Sequence, residues 1–196
     1  VSRSGDWIAT ISGRRWFITD PDAEDVHIRD IAHGLSMTCR FGGHCREFYS
    51  VAQHSVHVAD VIRQDRGDDT HMELWGLMHD ATEAYVGDMV RPLKLSMPAY
   101  KVIEERTERA ICAAFGIIVP PDIRHWVKRY DDVLLMTERR DLMNHCGYEW
   151  TPKVNPWDHQ IFPLDIDEAR SLFLVRFFEL TRKMGIATPA MDLAAP

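Results

Sequence analysis

Four side chains of this sequence can ligate a metal ion through nitrogen or oxygen: His54, the adjacent pair His79–Asp80, and Asp131. His54 precedes the pair by 25 residues, and Asp131 follows Asp80 by 51. Imidazole and carboxylate ligands without cysteine suit a hydrolytic transition-metal site better than a structural zinc site. An ion held this way lowers the pKa of a bound water and polarises a phosphoryl oxygen. Glu83, four residues after His79, is a carboxyl group that could move a proton beside such an ion.

These residues are useful together only if the elements carrying them turn them inward. Three helices are expected to do so. Ser50 reads as the N-cap of a helix running to about Gln64. On it Val51, Val58, Val61 and Ile62 define an apolar face; His54 falls about 40° from the centre of that face and His57 about 100° away. His54 is therefore expected to be buried and His57 to lie at the surface. A single histidine on an apolar face is usually a core residue with a satisfied hydrogen bond, so only the other three residues give His54 a chemical meaning. The second helix follows the turn at residues 66–70 and continues to about Tyr85, with Leu74, Trp75, Leu77 and Met78 ahead of the pair. In a continuous helix His79 and Glu83 share a face, and Asp80 lies about 60° from Glu83. On the third helix Ile123, Trp126, Val127, Tyr130 and Leu134 point inward. Asp131 lies about 70° from their centre and Asp132 about 170°, so Asp131 is the expected ligand and Asp132 a solvated acid.

The rest of the chain is read more coarsely. Residues 6–19 are expected to form two short strands around Ser12–Gly13. A helix begins near Ile28, with Ile31, Ala32 and Leu35 at helical spacing, and Gly42–Gly43 marks a loop. Residues 86–98 are expected to be a loop because of Gly87, Pro92 and Pro98; helices follow at about 99–115, 122–146 and 167–184. The tail from Ala187 to Pro196 has the composition of a turn-rich segment. The fold class is all-α: a helical bundle with a small N-terminal β-hairpin. It is expected to be a single domain over 1–196, with a hairpin appendage (1–25), a catalytic helical core (26–146) and a C-terminal extension (147–196).

Composition narrows the partners. The chain has 196 residues, 45% apolar and 27% charged, as in ordinary globular proteins. A net charge of −7 argues against a nucleic-acid polymer as partner, but a few local Arg and Lys can still bind one small phosphate. No apolar run approaches the roughly 20 residues needed to cross a bilayer, and Val1–Gly5 lacks a signal-peptide core. A cytoplasmic location is expected. Cys39, Cys45, Cys112 and Cys146 contain no C-x-x-C pair and read as reduced thiols; Cys39, His44 and Cys45 lack the second half that a zinc site needs.

The segments around these residues resemble HD-domain metal-dependent phosphohydrolases, in the branch containing 5′-deoxynucleotidases and phage deoxynucleotide triphosphohydrolases. The resemblance is carried by residues 28–33 (IRDIAH), 40–44 (RFGGH), 48–55 (FYSVAQHS), 79–88 (HDATEAYVGD), 127–131 (VKRYD) and Thr137–Glu138. H…HD…D alone says metal-dependent phosphohydrolase; Glu83 and Gly87–Asp88 after the pair narrow it. The resemblance implies an HD-type helical fold with one divalent ion (Co, Mn, Zn or Mg) on His54, His79, Asp80 and Asp131. It implies catalytic roles for Glu83 and Asp88, substrate binding by Arg40, Phe41 and Lys94, and a homodimer or higher homo-oligomer. If the gene is phage-borne, the cytoplasm would be the host's. The implied reaction cleaves the 5′-phosphoester of a (deoxy)nucleotide, releasing nucleoside with phosphate or triphosphate, and dATP is one candidate. Gln53 stands where many relatives carry Glu, and Met89–Val90–Arg91 departs from the usual pattern. Alternatives are a non-catalytic nucleotide sensor, which a missing ligand or a missing Glu83 would favour, and a hydrolase of a signalling nucleotide, which the segment from Arg40 to His54 argues against.

Overall fold

The computed structural model describes residue 3 and residues 5–187, and within them the chain is all-α with one N-terminal hairpin. The turn-rich tail from residue 188 onward lies outside the described residues. Strands β1 (Trp7–Ala9) and β2 (Arg15–Phe17) pair antiparallel, with Ile8 opposite Trp16. Gly13 closes their turn at φ +79°, a backbone region that costs glycine little. β1 is exposed, whereas Trp16 is fully buried and stacks on Tyr85 with ring centroids 3.9 Å apart. Ser12 donates through its amide and hydroxyl to Asp30, fastening the turn to the first helix.

Helix α1 (Ile28–Met37) buries Ile28, Ile31, Ala32 and Leu35, the spacing of one helical face. Helix α2 (Val51–Arg66) starts where Ser50 Oγ accepts the Gln53 amide and ends at Gly67. Helix α3 (Thr70–Met78) is capped by Asp69 and buries every residue from Met72 to Met78. The expected continuous helix to Tyr85 is not formed. Its regular part stops at Met78, and α4 (Glu83–Val86) follows after a turn. The amides of Ala81 and Glu83 bond to carbonyls three residues back instead of four, which tightens the chain around the His-Asp pair.

The expected loop at 86–98 holds a short helix, α5 (Arg91–Leu95), and Pro98 opens α6 (Pro98–Phe115). Pro92, Pro98 and Pro121 all sit in first turns, where the missing N–H is no loss. They act as helix starts here, not as breaks. Helix α7 (Pro121–Leu142) ends four residues earlier than expected. Helix α8 (Ile166–Lys183) begins with a capping box of Asp165 and Glu168. It packs on α1, α2 and α3 and places Phe173, Phe177 and Leu180 in the same core as Leu35, Ile62 and Leu77, so α8, in the expected C-terminal extension, shares the core of the preceding helices. Helix α2 is surrounded by α1, α3, α7 and α8, which is why nearly its whole circumference is buried. Among the described residues no helix is long and apolar enough to cross a membrane.

Candidate metal centre

Helix α2 brings His54 to the centre of the molecule with no exposed surface. Its Nδ1 is 2.6 Å from Oε1 of Glu138, which is equally buried. The turn after α3 presents His79, whose Nδ1 is 2.7 Å from the Gly76 carbonyl oxygen. Each ring therefore has one nitrogen anchored, and each leaves Nε2 buried without a hydrogen-bond partner. The two rings lie 5.3 Å apart.

Carboxylates converge on those nitrogens. Asp131 Oδ1 from α7 is 3.3 Å from His54 Nε2 and 4.0 Å from His79 Nε2. Asp80 Oδ2 is 3.2 Å from His79 Nε2 and 3.6 Å from His54 Nε2. His54, His79 and Asp131 offer ligand atoms all within 4.8 Å of one another, a group that could hold a metal ion. The fit is chemical as well as spatial. A ligating imidazole characteristically has its other nitrogen fixed by a carboxylate or carbonyl, and that arrangement is present twice. Cys39, His44 and Cys45 form no comparable group among the described residues.

The other expected site residues fall around this cluster with different partners. Asp132 is no more exposed than Asp131, contrary to the surface position expected from helical geometry. Lys128, one turn earlier on α7, reaches forward and holds both, at 2.8 Å from Asp131 Oδ2. Arg40 approaches Asp80, Nη1 to Oδ2, at 3.6 Å, while its Nε and Nη2 both donate to Glu138 Oε2 at 3.1 and 2.9 Å. Phe41 is in the left-handed region at φ 57°, with its ring beside the Arg40 guanidinium and 6.0 Å from Trp150. Lys94, on α5, is paired with Glu104 and close enough to Glu83 and Asp80 to feel both charges. His57 corrects the surface position expected for it: the half-buried ring lies 3.0 Å from the Tyr49 hydroxyl and packs near Trp157. The short tertiary reach of Tyr49 and Trp157 is not visible in α2's own periodicity.

Electrostatics separates the acids into two kinds. Burial alone would raise Asp80 and Asp131, but the facing histidines, with Lys128 on Asp131, hold both well below the usual carboxylate range. Glu83 goes the other way. Burial, then the charges of Asp80 and Asp88, push its carboxyl well above the ordinary value, and its Oε2 has no hydrogen-bond partner. Burial also raises Asp88. Burial and the Arg40 charge push His54 down, yet Glu138 and Asp131 outweigh them and raise it to about 9.

Glu138, Lys128 and Trp150 belong to this neighbourhood and were not among the expected site residues. For Glu138 a signal existed: it stands seven residues after Asp131, which returns to nearly the same helical face.

No family model matches the chain. It is 37% identical over 180 residues to YfdR, an uncharacterized protein of Escherichia coli (strain K12), covering 89% of this chain and 96% of that one. An uncharacterized protein of Rhodobacter capsulatus is 34% identical over 142 residues, or 69% of this chain and 72% of its own.

Proposed function

The chain belongs to the family of YfdR, and we propose that it is a metal-dependent phosphohydrolase of the HD type, cleaving the 5′-phosphoester of a (deoxy)nucleotide. One observation carries this reading: two imidazoles have Nδ1 anchored and a buried Nε2 without a partner, and both are met by carboxylates. His54, His79, Asp80 and Asp131 would hold a divalent ion such as Co²⁺, Mn²⁺, Zn²⁺ or Mg²⁺. When bound, such an ion supplies an acidified water and polarises a phosphoryl oxygen.

The remaining steps fall to the chain's own groups. Arg40 has one edge committed to Glu138, so it meets a phosphate with Nη1 and the outer proton of Nη2. Lys94 adds positive charge from α5. Burial and two neighbouring carboxylates disfavour the ionised form of Glu83 and raise its pKa well above the ordinary value. A carboxyl group that favours its protonated form in that place can deliver a proton to the departing 5′-oxygen of the nucleoside. Asp88 lies within electrostatic reach of Arg40 and can orient the sugar end of the substrate. Phe41 and Trp150 offer aromatic surface for the nucleoside.

The test is to load purified protein with Co²⁺, Mn²⁺ or Mg²⁺ and incubate it with a panel of nucleoside and deoxynucleoside mono- and triphosphates. Nucleoside should accumulate together with inorganic phosphate or triphosphate, and a chelator should stop it. Turnover indifferent to chelator, or no turnover with any ion and substrate, would overturn the reading. The same reading implies a homo-oligomer, which light scattering on the eluted protein measures directly.

A further inference from the structure

Glu138 is fully buried, and its two carboxylate oxygens serve two different parts of the centre. Oε1 meets His54 Nδ1, and Oε2 takes two donors from Arg40. Helix α7 thus supplies Asp131 to one side of His54 and, two turns on, Glu138 to the other. Arg40 is nearly as enclosed, with 11% of its side chain exposed, and its remaining nitrogen Nη1 already stands 3.6 Å from Asp80 Oδ2.

A buried guanidinium seeks a carboxylate. Two are within reach here, and one of them is a residue that would ligate the ion. We propose that Glu138 is a positioning residue that keeps Arg40 from capturing Asp80 and at the same time aims His54 Nε2 at the ion. It does this by neutralising most of the Arg40 charge on the side away from the cluster. Asp80 is left free to ligate, and Nη1 stays oriented for an anion. This inference rests on the metal-centre reading above.

The consequence is a signature that mere structural support would not produce. Removing the Glu138 charge should weaken metal binding twice over, by loosening His54 and by releasing Arg40 onto Asp80. Removing Arg40 as well should undo the second effect. The experiment measures Co²⁺ binding by calorimetry and by the visible absorption of the bound ion, on wild type, Glu138→Gln and the double variant Glu138→Gln/Arg40→Gln. Circular dichroism and urea unfolding of the metal-free proteins accompany each titration.

Glu138→Gln should lose about 10- to 100-fold in Co²⁺ affinity, the usual effect of disturbing a partner of a ligand. The double variant, in which no guanidinium is left to capture Asp80, should bind Co²⁺ more tightly than Glu138→Gln does. Equal affinity in wild type and Glu138→Gln, or a double variant weaker than the single one, overturns the proposal while leaving the metal centre intact. Should Glu138→Gln not fold, the double variant is set against Arg40→Gln: a further loss of affinity supports the role in aiming His54, and none overturns it. Failure of the wild type to bind Co²⁺ would overturn both readings together.

Discussion

Replacing His57 with asparagine should flatten the acid limb of the stability curve. The His57 ring is enclosed by Tyr49 and Trp157, with Nδ1 3.0 Å from the Tyr49 hydroxyl. Burial pushes its pKa down to about 4, against the opposing charges of Asp60 and Glu138. In the unfolded chain a histidine takes up its proton near 6.5. Between these values the unfolded state binds more protons than the folded one, so stability rises with pH. The contribution is complete above about pH 6.5 and is lost as pH falls toward 4. A displacement of this size corresponds to about 3 kcal/mol; for a half-buried ring, screening by water leaves roughly 1.5–3 kcal/mol. Asparagine places Oδ1 near the former Nδ1 and keeps an acceptor for Tyr49, at a packing cost of about 1–2 kcal/mol that does not vary with pH. Urea unfolding between pH 4.5 and 7.5, with chelator present, measures the difference. Wild type should lose at least about 1.5 kcal/mol more than His57→Asn across that range. Parallel curves for the two proteins would show that His57 does not titrate in this window.

His79→Ala and Asp131→Ala should each abolish Co²⁺ binding and hydrolysis, whereas Asp132→Ala should leave both within a few-fold; the opposite order for the two aspartates would transfer the ligand role to Asp132. Glu83→Gln should retain the ion and lower kcat on the order of 10²-fold or more, as expected for a positioned proton donor; loss of the ion with unchanged turnover per bound ion would make Glu83 a ligand. Gly34→Ala would set a Cβ 2.8–2.9 Å from the backbone of Ala84, the residue after Glu83. Overpacking against backbone should cost about 1–3 kcal/mol in urea unfolding and depress kcat by shifting α4, and an unperturbed variant would show that α1 and α4 can separate freely.

The helices were legible in the sequence because each buries a face set by its own periodicity. Ser50, the apolar stripe of α2 and the inward row of α7 are local signals, and His54 and Asp131 could be phased against them. What failed was the interval from Met78 to Pro98. A wheel drawn through His79 and Glu83 assumes continuous α-geometry, but the chain tightens there and restarts as α4. Composition also misled: Pro92 and Pro98 read as breaks, while their positions in first turns make them helix starts. The partners of Arg40, His57 and Lys94 lie on other elements, and no local pattern encodes which carboxylate a guanidinium reaches across 98 residues.

The acids of the centre show why such a cluster is built around a missing positive charge. Asp80, Asp131 and Glu138 are all pushed toward the ionised form against burial, and the nearby fixed cations are already engaged: Arg40 with Glu138, Lys128 with Asp131 and Asp132, and Lys94 with Glu104. His54 fills part of the gap: Glu138 and Asp131 raise its pKa to about 9 although burial and the Arg40 charge oppose it. A proton on Nε2 occupies the lone pair that a metal ion needs, so ion and proton compete for the same atoms. A divalent ion would satisfy both carboxylates and both imidazoles at once, with no protonated ring left in the core. Glu83 is not one of the groups that exchange a proton for the ion. Its charge is disfavoured by Asp80 and Asp88, neither of which a proton on His54 removes from its surroundings. One cluster therefore pushes its carboxyl groups in opposite directions, Asp80, Asp131 and Glu138 toward the ionised form and Glu83 toward the protonated one, the division of labour that the proposed phosphoester hydrolysis would use.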